Sequence, residues 1–186
     1  EMALRPLHGR GIENAPVLVQ HLGLILAMFG AVAAERHGHL STLGSGIGLR
    51  GDPRVQSAVR TFAQGSSSII CGLLAFAAWR FVASEMEAGQ ILAYGVPVWW
   101  VQAAMPLGFA LLGVKLGARC ATRWPGKALC AIALPMAGWA GAAALDGGVL
   151  PLWPGLVWLL CVLLTGAPIF AVLGGLALAL FWGDGL

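Results

Sequence analysis

His21, His37 and His39, with four cysteines, are the residues of this 186-residue chain whose types could do chemistry. His37 and His39 form a His-x-His pair beside Glu35, a spacing that can bind a metal or haem from an extended segment if further ligands join it. On a helix the i and i+2 positions face apart, and His21 stands about four turns away in an apolar run. Interfacial capping or headgroup contact is therefore the stronger reading of these histidines. Cys71, Cys120, Cys130 and Cys161 form no C-x-x-C pair. Cys71 and Cys161 fall inside apolar runs, where a thiol acts as a small hydrophobe. No nucleophile, base and acid can be assembled, so neither an enzyme nor a metal site is expected.

The stretches that carry these residues set the class of molecule. Asn14–Ala34, Thr61–Trp79, Ala88–Val114, Ala128–Leu145 and Gly147–Gly183 contain no Asp, Glu, Lys or Arg. About 18 uncharged, mostly apolar residues suffice to cross the roughly 30 Å hydrocarbon core as a helix. The composition is 59% hydrophobic and 10% charged, with a mean hydropathy of +0.83, against about 25% charged residues in soluble domains. An all-α, polytopic membrane protein with about five transmembrane segments follows. Eight Trp against one Tyr fit indole rings at the headgroup level. The net charge of +3 comes from inter-helix segments, where topology explains it better than nucleic acid does.

Arg36, Arg50, Arg54 and Arg60 lie between the first two runs, and Lys115, Arg119, Arg123 and Lys127 between the third and fourth. Arg80 with Glu85 and Glu87 follows the second run, and Asp146 alone follows the fourth. Short basic loops stay cytoplasmic, so the two basic segments are expected inside and the other two outside. This threading places residue 1 outside, which calls for a further span upstream of Glu1.

Asp52-Pro53 reads as an N-cap followed by Pro at N1, starting the second helix near Pro53. Gly65-Ser66-Ser67-Ser68 supplies small and hydroxylated residues for close helix approach, a better account than a substrate site. Arg80 is expected to snorkel to the headgroups. Pro97 suits a helix first turn, leaving Ala88–Tyr94 as an interfacial piece, with Trp99 and Trp100 as an aromatic belt. Pro106 should kink its helix. Lys115 inside Gly113-x-x-x-Gly117 weakens that packing motif. The last run of 37 residues would extend about 55 Å as one helix, so a break at Thr165-Gly166-Ala167-Pro168 is expected. Such interruptions suit transporters. Span centres carry no charge, and charges there would mark an ion path. These helices therefore read as a scaffold with the transport site elsewhere.

Three segments carry a family resemblance. Gly30-Ala31-Val32-Ala33-Ala34-Glu35-Arg36-His37-Gly38-His39-Leu40 resembles the helix end and basic loop of the small Q subunit of tripartite ATP-independent periplasmic (TRAP) transporters. Tyr94-Gly95-Val96-Pro97-Val98-Trp99-Trp100, followed by Met105-Pro106-Leu107-Gly108-Phe109, resembles that subunit's final helix. Leu164-Thr165-Gly166-Ala167-Pro168-Ile169-Phe170-Ala171 resembles the opening of the large M subunit. The resemblance implies a Q-like domain at 1–124 lacking its first helix, a connecting helix at 125–148, and a truncated M-like start at 149–186. The Trp and paired acids that the family carries after its first helix are reduced here to Ile12-Glu13-Asn14.

The implied function is the membrane scaffold of a sodium-coupled secondary transporter importing organic acids. Its implied partners are the remainder of the M transport domain, a periplasmic solute-binding protein and membrane lipids, in a bacterial inner membrane. No cofactor is implied; sodium, as coupling ion, and the substrate would bind outside this segment. Arg36, His39, Arg54, Arg60, Lys115 and Arg119 would anchor the frame at the inner headgroups, and Trp99 and Trp100 at the outer. The alternatives are a haem- or metal-binding anchor of a redox enzyme using His21, His37 or His39, and a structural assembly protein.

Overall fold

The computed structural model describes residues 15–36, 52–146, 148 and 151–183. Seven helices and a two-strand hairpin make up the described chain, in the order α1 (Ala15–Arg36), α2 (Pro53–Ala88), β1 (Ile91–Ala93), β2 (Val96–Pro97), α3 (Val98–Gln102), α4 (Ala104–Ala118), α5 (Trp124–Leu145), α6 (Leu152–Leu164) and α7 (Ile169–Gly183). Four stretches are long and apolar enough to cross a membrane: Ala15–Glu35, Pro53–Ala88, Val98–Ala118 and Trp124–Leu145. The chain is thus an all-α polytopic membrane protein.

α2 is the spine. Asp52 caps it by accepting from the Arg54 backbone N–H at 3.3 Å, with Pro53 in the first turn. The helix runs 36 residues, about 54 Å, and extends about two turns beyond the apolar run at each end. It ends at Gly89, whose φ of 62° lets its N–H reach the Glu85 carbonyl at 3.2 Å. Tyr94 and Gly95 then adopt φ of 52° and 80°, the positive pair of a tight hairpin turn. This hairpin pairs Ile91 with Pro97 and Ala93 with Val96 and fills part of the segment read as interfacial.

Pro97 precedes α3 in extended conformation, as its N-cap. The α3–α4 span is interrupted at Ala103, one turn before Pro106. Pro106 has no N–H for the Gln102 carbonyl, so the helical ladder loses a bond at that turn. α2, α4 and α5 form the central bundle, and α1 lies outside it against α3 and α4. Val19, Leu22 and Leu26 of α1 are exposed, as a lipid-facing helix requires.

The fifth apolar stretch departs from a simple crossing. α6 and α7 have 13 and 15 residues, about 20 and 22 Å, and neither spans a bilayer. Between them Gly166 takes a φ of 80°, and the Ala167 N–H closes the turn onto the Val162 carbonyl at 3.3 Å. The arms fold back antiparallel: Gly183 meets Leu152, Ala179 meets Gly155, and Gly175 meets Leu159. Ile70 of α2, with Ala63 nearby, joins Leu159, Val162, Ala167 and Ala171 in one buried cluster, which fastens the hairpin to the spine.

Candidate functional site

Among the described residues, glycines bring helix backbones close together at the seam of α2, α4 and α5. Gly72 faces the Pro135 carbonyl, and Gly138 faces the Ile69 carbonyl, so closely that a Cβ at either position would collide with backbone. Between membrane helices no water-driven hydrophobic gain exists, so close backbone approach and interhelical hydrogen bonds hold the bundle. Ser68 supplies such a bond, its Oγ donating to the Gly113 carbonyl at 2.7 Å. Ser67 instead donates to Ala63 within its own helix, also at 2.7 Å. Phe76 and Trp139 meet edge to face across α2 and α5, with ring centroids 5.3 Å apart.

Gly113 and Gly117 lie in this seam against Ser68, Cys71, Cys130 and Pro135. Lys115 does not weaken the motif. Two residues further along a helix is about 200° of rotation, so Lys115 leaves the opposite side and reaches α1. Its Nζ donates to the Val32 carbonyl at 2.8 Å. One turn on, an Arg119 Nη donates to the Glu35 carbonyl at 2.8 Å, and Arg119 Nε lies 2.9 Å from Glu35 Oε1. The Glu35 side chain is 3% exposed. Both carbonyls lie at the negative end of the α1 dipole, and that of Glu35, in the last turn, has no partner within its helix. Two cations from α4 satisfy both, so Lys115 and Arg119 clamp α1 to α4.

A second ion pair closes the other end of the bundle. Arg80 of α2 pairs with Asp146 at the end of α5. Trp99 and Trp100 sit on that side, edge to face with centroids 5.8 Å apart. Arg54 and Arg60 project from the opposite end of α2.

The remaining candidates do not converge. His21 Nδ1 lies 2.8 Å from the Val17 carbonyl of its own helix. His37, His39 and the Arg36 side chain lie outside the described residues. Among the described residues no three of His, Cys, Asp and Glu come together as a metal site. All four cysteines are free. Cys120 lies beyond α4, where partial burial and the neighbouring Cys130 hold its thiol above the ordinary cysteine range.

Sequence reasoning missed both ion pairs as pairs. Glu35 and Arg119 are 84 positions apart and Arg80 and Asp146 are 66 apart. The available signal was the imbalance itself: few acids stand in this chain, and each of these two ends an apolar helix.

Four stretches of membrane length, a backbone-tight seam and, among the described residues, charges that stand outside the centres of the apolar runs define a polytopic membrane protein. Residues 1–126 match the family described as tripartite ATP-independent periplasmic transporters, DctQ component, and the chain belongs to that family. It is therefore a membrane component of a TRAP transporter. No curated protein and no solved structure matches the chain.

Proposed function

We propose that this chain is the fixed frame of a sodium-coupled importer of organic acids, against which a large M subunit moves the substrate delivered by a periplasmic solute-binding protein. The observation that carries this reading is the seam. α2 and α5 are locked by backbone contact at Gly72 and Gly138, and α4 and α5 at Gly117, which leaves no slack for a moving part. Both ion pairs lie beyond the apolar runs and, among the described residues, leave the middle of the bundle uncharged, so the coupling sodium and the acid would bind in the M domain. Within this reading, residues 1–124 form the small-subunit portion, 125–148 the connector, and 149–186 the start of the M domain. Trp99, Trp100, Arg54 and Arg60 would hold the frame at the two headgroup layers, as would Arg36 and His39.

The test is reconstitution of this chain with an M subunit and a solute-binding protein in vesicles carrying an inward sodium gradient. Uptake of a labelled carboxylate is expected only when all three are present and sodium is outside. Uptake at full rate by the M subunit and binding protein without this chain would remove the frame role. Full rate without the gradient would remove the coupling.

A further inference from the structure

An apolar slot of about 240 Å³ opens beside the helical hairpin, lined by Leu73, Leu145, Leu152, Gly155, Trp158 and Trp182 among others. It is larger than the roughly 150 Å³ cavity that holds a benzene ring in a soluble protein. Its position gives it a polar rim. Arg80 lies seven residues beyond Leu73, which returns it to the same face of α2 about 10 Å further along the axis. Asp146 follows Leu145 directly, and Arg80 and Asp146 are paired there.

From this juxtaposition we infer that the slot holds one acyl chain of a phospholipid whose headgroup sits on the Arg80–Asp146 pair. The charges of this pair select the occupant. An Arg guanidinium has five donors, and Asp146 engages one of its nitrogens, leaving others for a phosphodiester. The Asp146 carboxylate in turn suits the ammonium of phosphatidylethanolamine. Both side chains are well exposed, at 60% and 41%, so a headgroup can reach them. Moving an acyl chain from bulk lipid into the slot gains no hydrophobic free energy, because the two surroundings are equally apolar. Preference for the site must therefore come from the charged rim, while the slot sets which chain fits.

The inference is tested on the full chain in vesicles of phosphatidylethanolamine and phosphatidylglycerol. One arm carries a trace of phosphatidylethanolamine with a diazirine in mid-chain, and the other carries a diacylglycerol with the same diazirine. After photolysis, the phospholipid probe is expected to label the 145–183 segment about fivefold more than the diacylglycerol, the scale of one basic side chain acting on a charged headgroup. Arg80→Gln should bring the two probes level. Gly155→Leu should block labelling by both, since the Gly155 Cβ position meets only Ala179 at 3.6 Å and the larger side chain grows into the slot. Leu160→Met, on the exposed side of the hairpin, should change nothing. Equal labelling by the two probes in the unaltered chain would overturn the inference, leaving boundary lipid only. Protection of the segment when a co-expressed M subunit is present would overturn it too, by giving the slot to a protein helix.

Discussion

Glu35 shows what a single side chain can decide in a molecule with so few charges. Its carboxylate is almost sealed from solvent, and Arg119 is the cation beside it. Removing one partner of a buried pair leaves an uncompensated charge and costs far more than the pair itself contributes. Because the Arg119 side chain is 38% exposed, the expected cost of Arg119→Gln is about 2 kcal/mol, below the usual buried-pair range. Adding Glu35→Gln to that variant should restore part of the loss, because the orphaned charge goes with it. Thermal unfolding in one detergent, followed for the two single variants and the double, measures both effects; equal melting temperatures for Arg119→Gln and the unaltered chain would disprove the clamp. Cys120 offers a second prediction of this kind. Its thiol pKa is raised by burial and by Cys130, so less thiolate is present at neutral pH than in an ordinary cysteine. With the other cysteines replaced, the Cys130 contribution goes but burial, the larger cause, remains, so Cys120 should still alkylate more slowly than a free thiol at pH 7. Its rate should still be climbing with pH where the free thiol has levelled off.

At the scale of elements, the seam and the start of α2 were written in the sequence to different degrees. Asp52-Pro53 is a local signal, and α2 starts there. Gly166 and Pro168 are local as well, and the last stretch breaks around them. Glycines and serines announce that some helix comes close, but which one is a long-range fact that spacing does not contain. Ser68 finds Gly113, 45 residues away, and Gly72 finds the Pro135 carbonyl. The G-x-x-x-G motif of α4 was undervalued for a related reason: a lysine two residues from a glycine looks disruptive in the linear sequence and is harmless around a helix. Gly72→Leu should therefore separate α2 from α5 and cost about 3 kcal/mol or more, since the obstacle is a backbone carbonyl that cannot turn aside. Ser68→Ala should cost about 0.6 kcal/mol, the average for one hydrogen bond between membrane helices. Near-ultraviolet circular dichroism during unfolding compares the two; a Gly72→Leu chain as stable as Ser68→Ala would mean the helices are not held by backbone contact.

The whole molecule depends on which way the hairpin runs. Composition alone made the last stretch a membrane segment, and its proline made it a broken one; neither says whether the second arm continues across or returns. The structure has it return, because Gly183, Ala179 and Gly175 match Leu152, Gly155 and Leu159 in antiparallel order. Each arm is about 10 Å short of the hydrocarbon thickness. The turn at 165–168 therefore stays within the membrane, and both ends of the hairpin open on the side of the Arg80–Asp146 pair. In a background without native cysteines, Pro151→Cys and Phe181→Cys, the latter at an exposed position near the end of α7, should both react with an impermeant maleimide from the side that labels Tyr94→Cys. Gly126→Cys should react only from the opposite side, where the basic segments hold the chain. Ala167→Cys, at the buried turn, should resist the reagent from both sides until the membrane is dissolved. If Phe181→Cys instead labelled with Gly126→Cys, the two arms would form one kinked crossing, and the slot between hairpin and spine would not exist in the membrane.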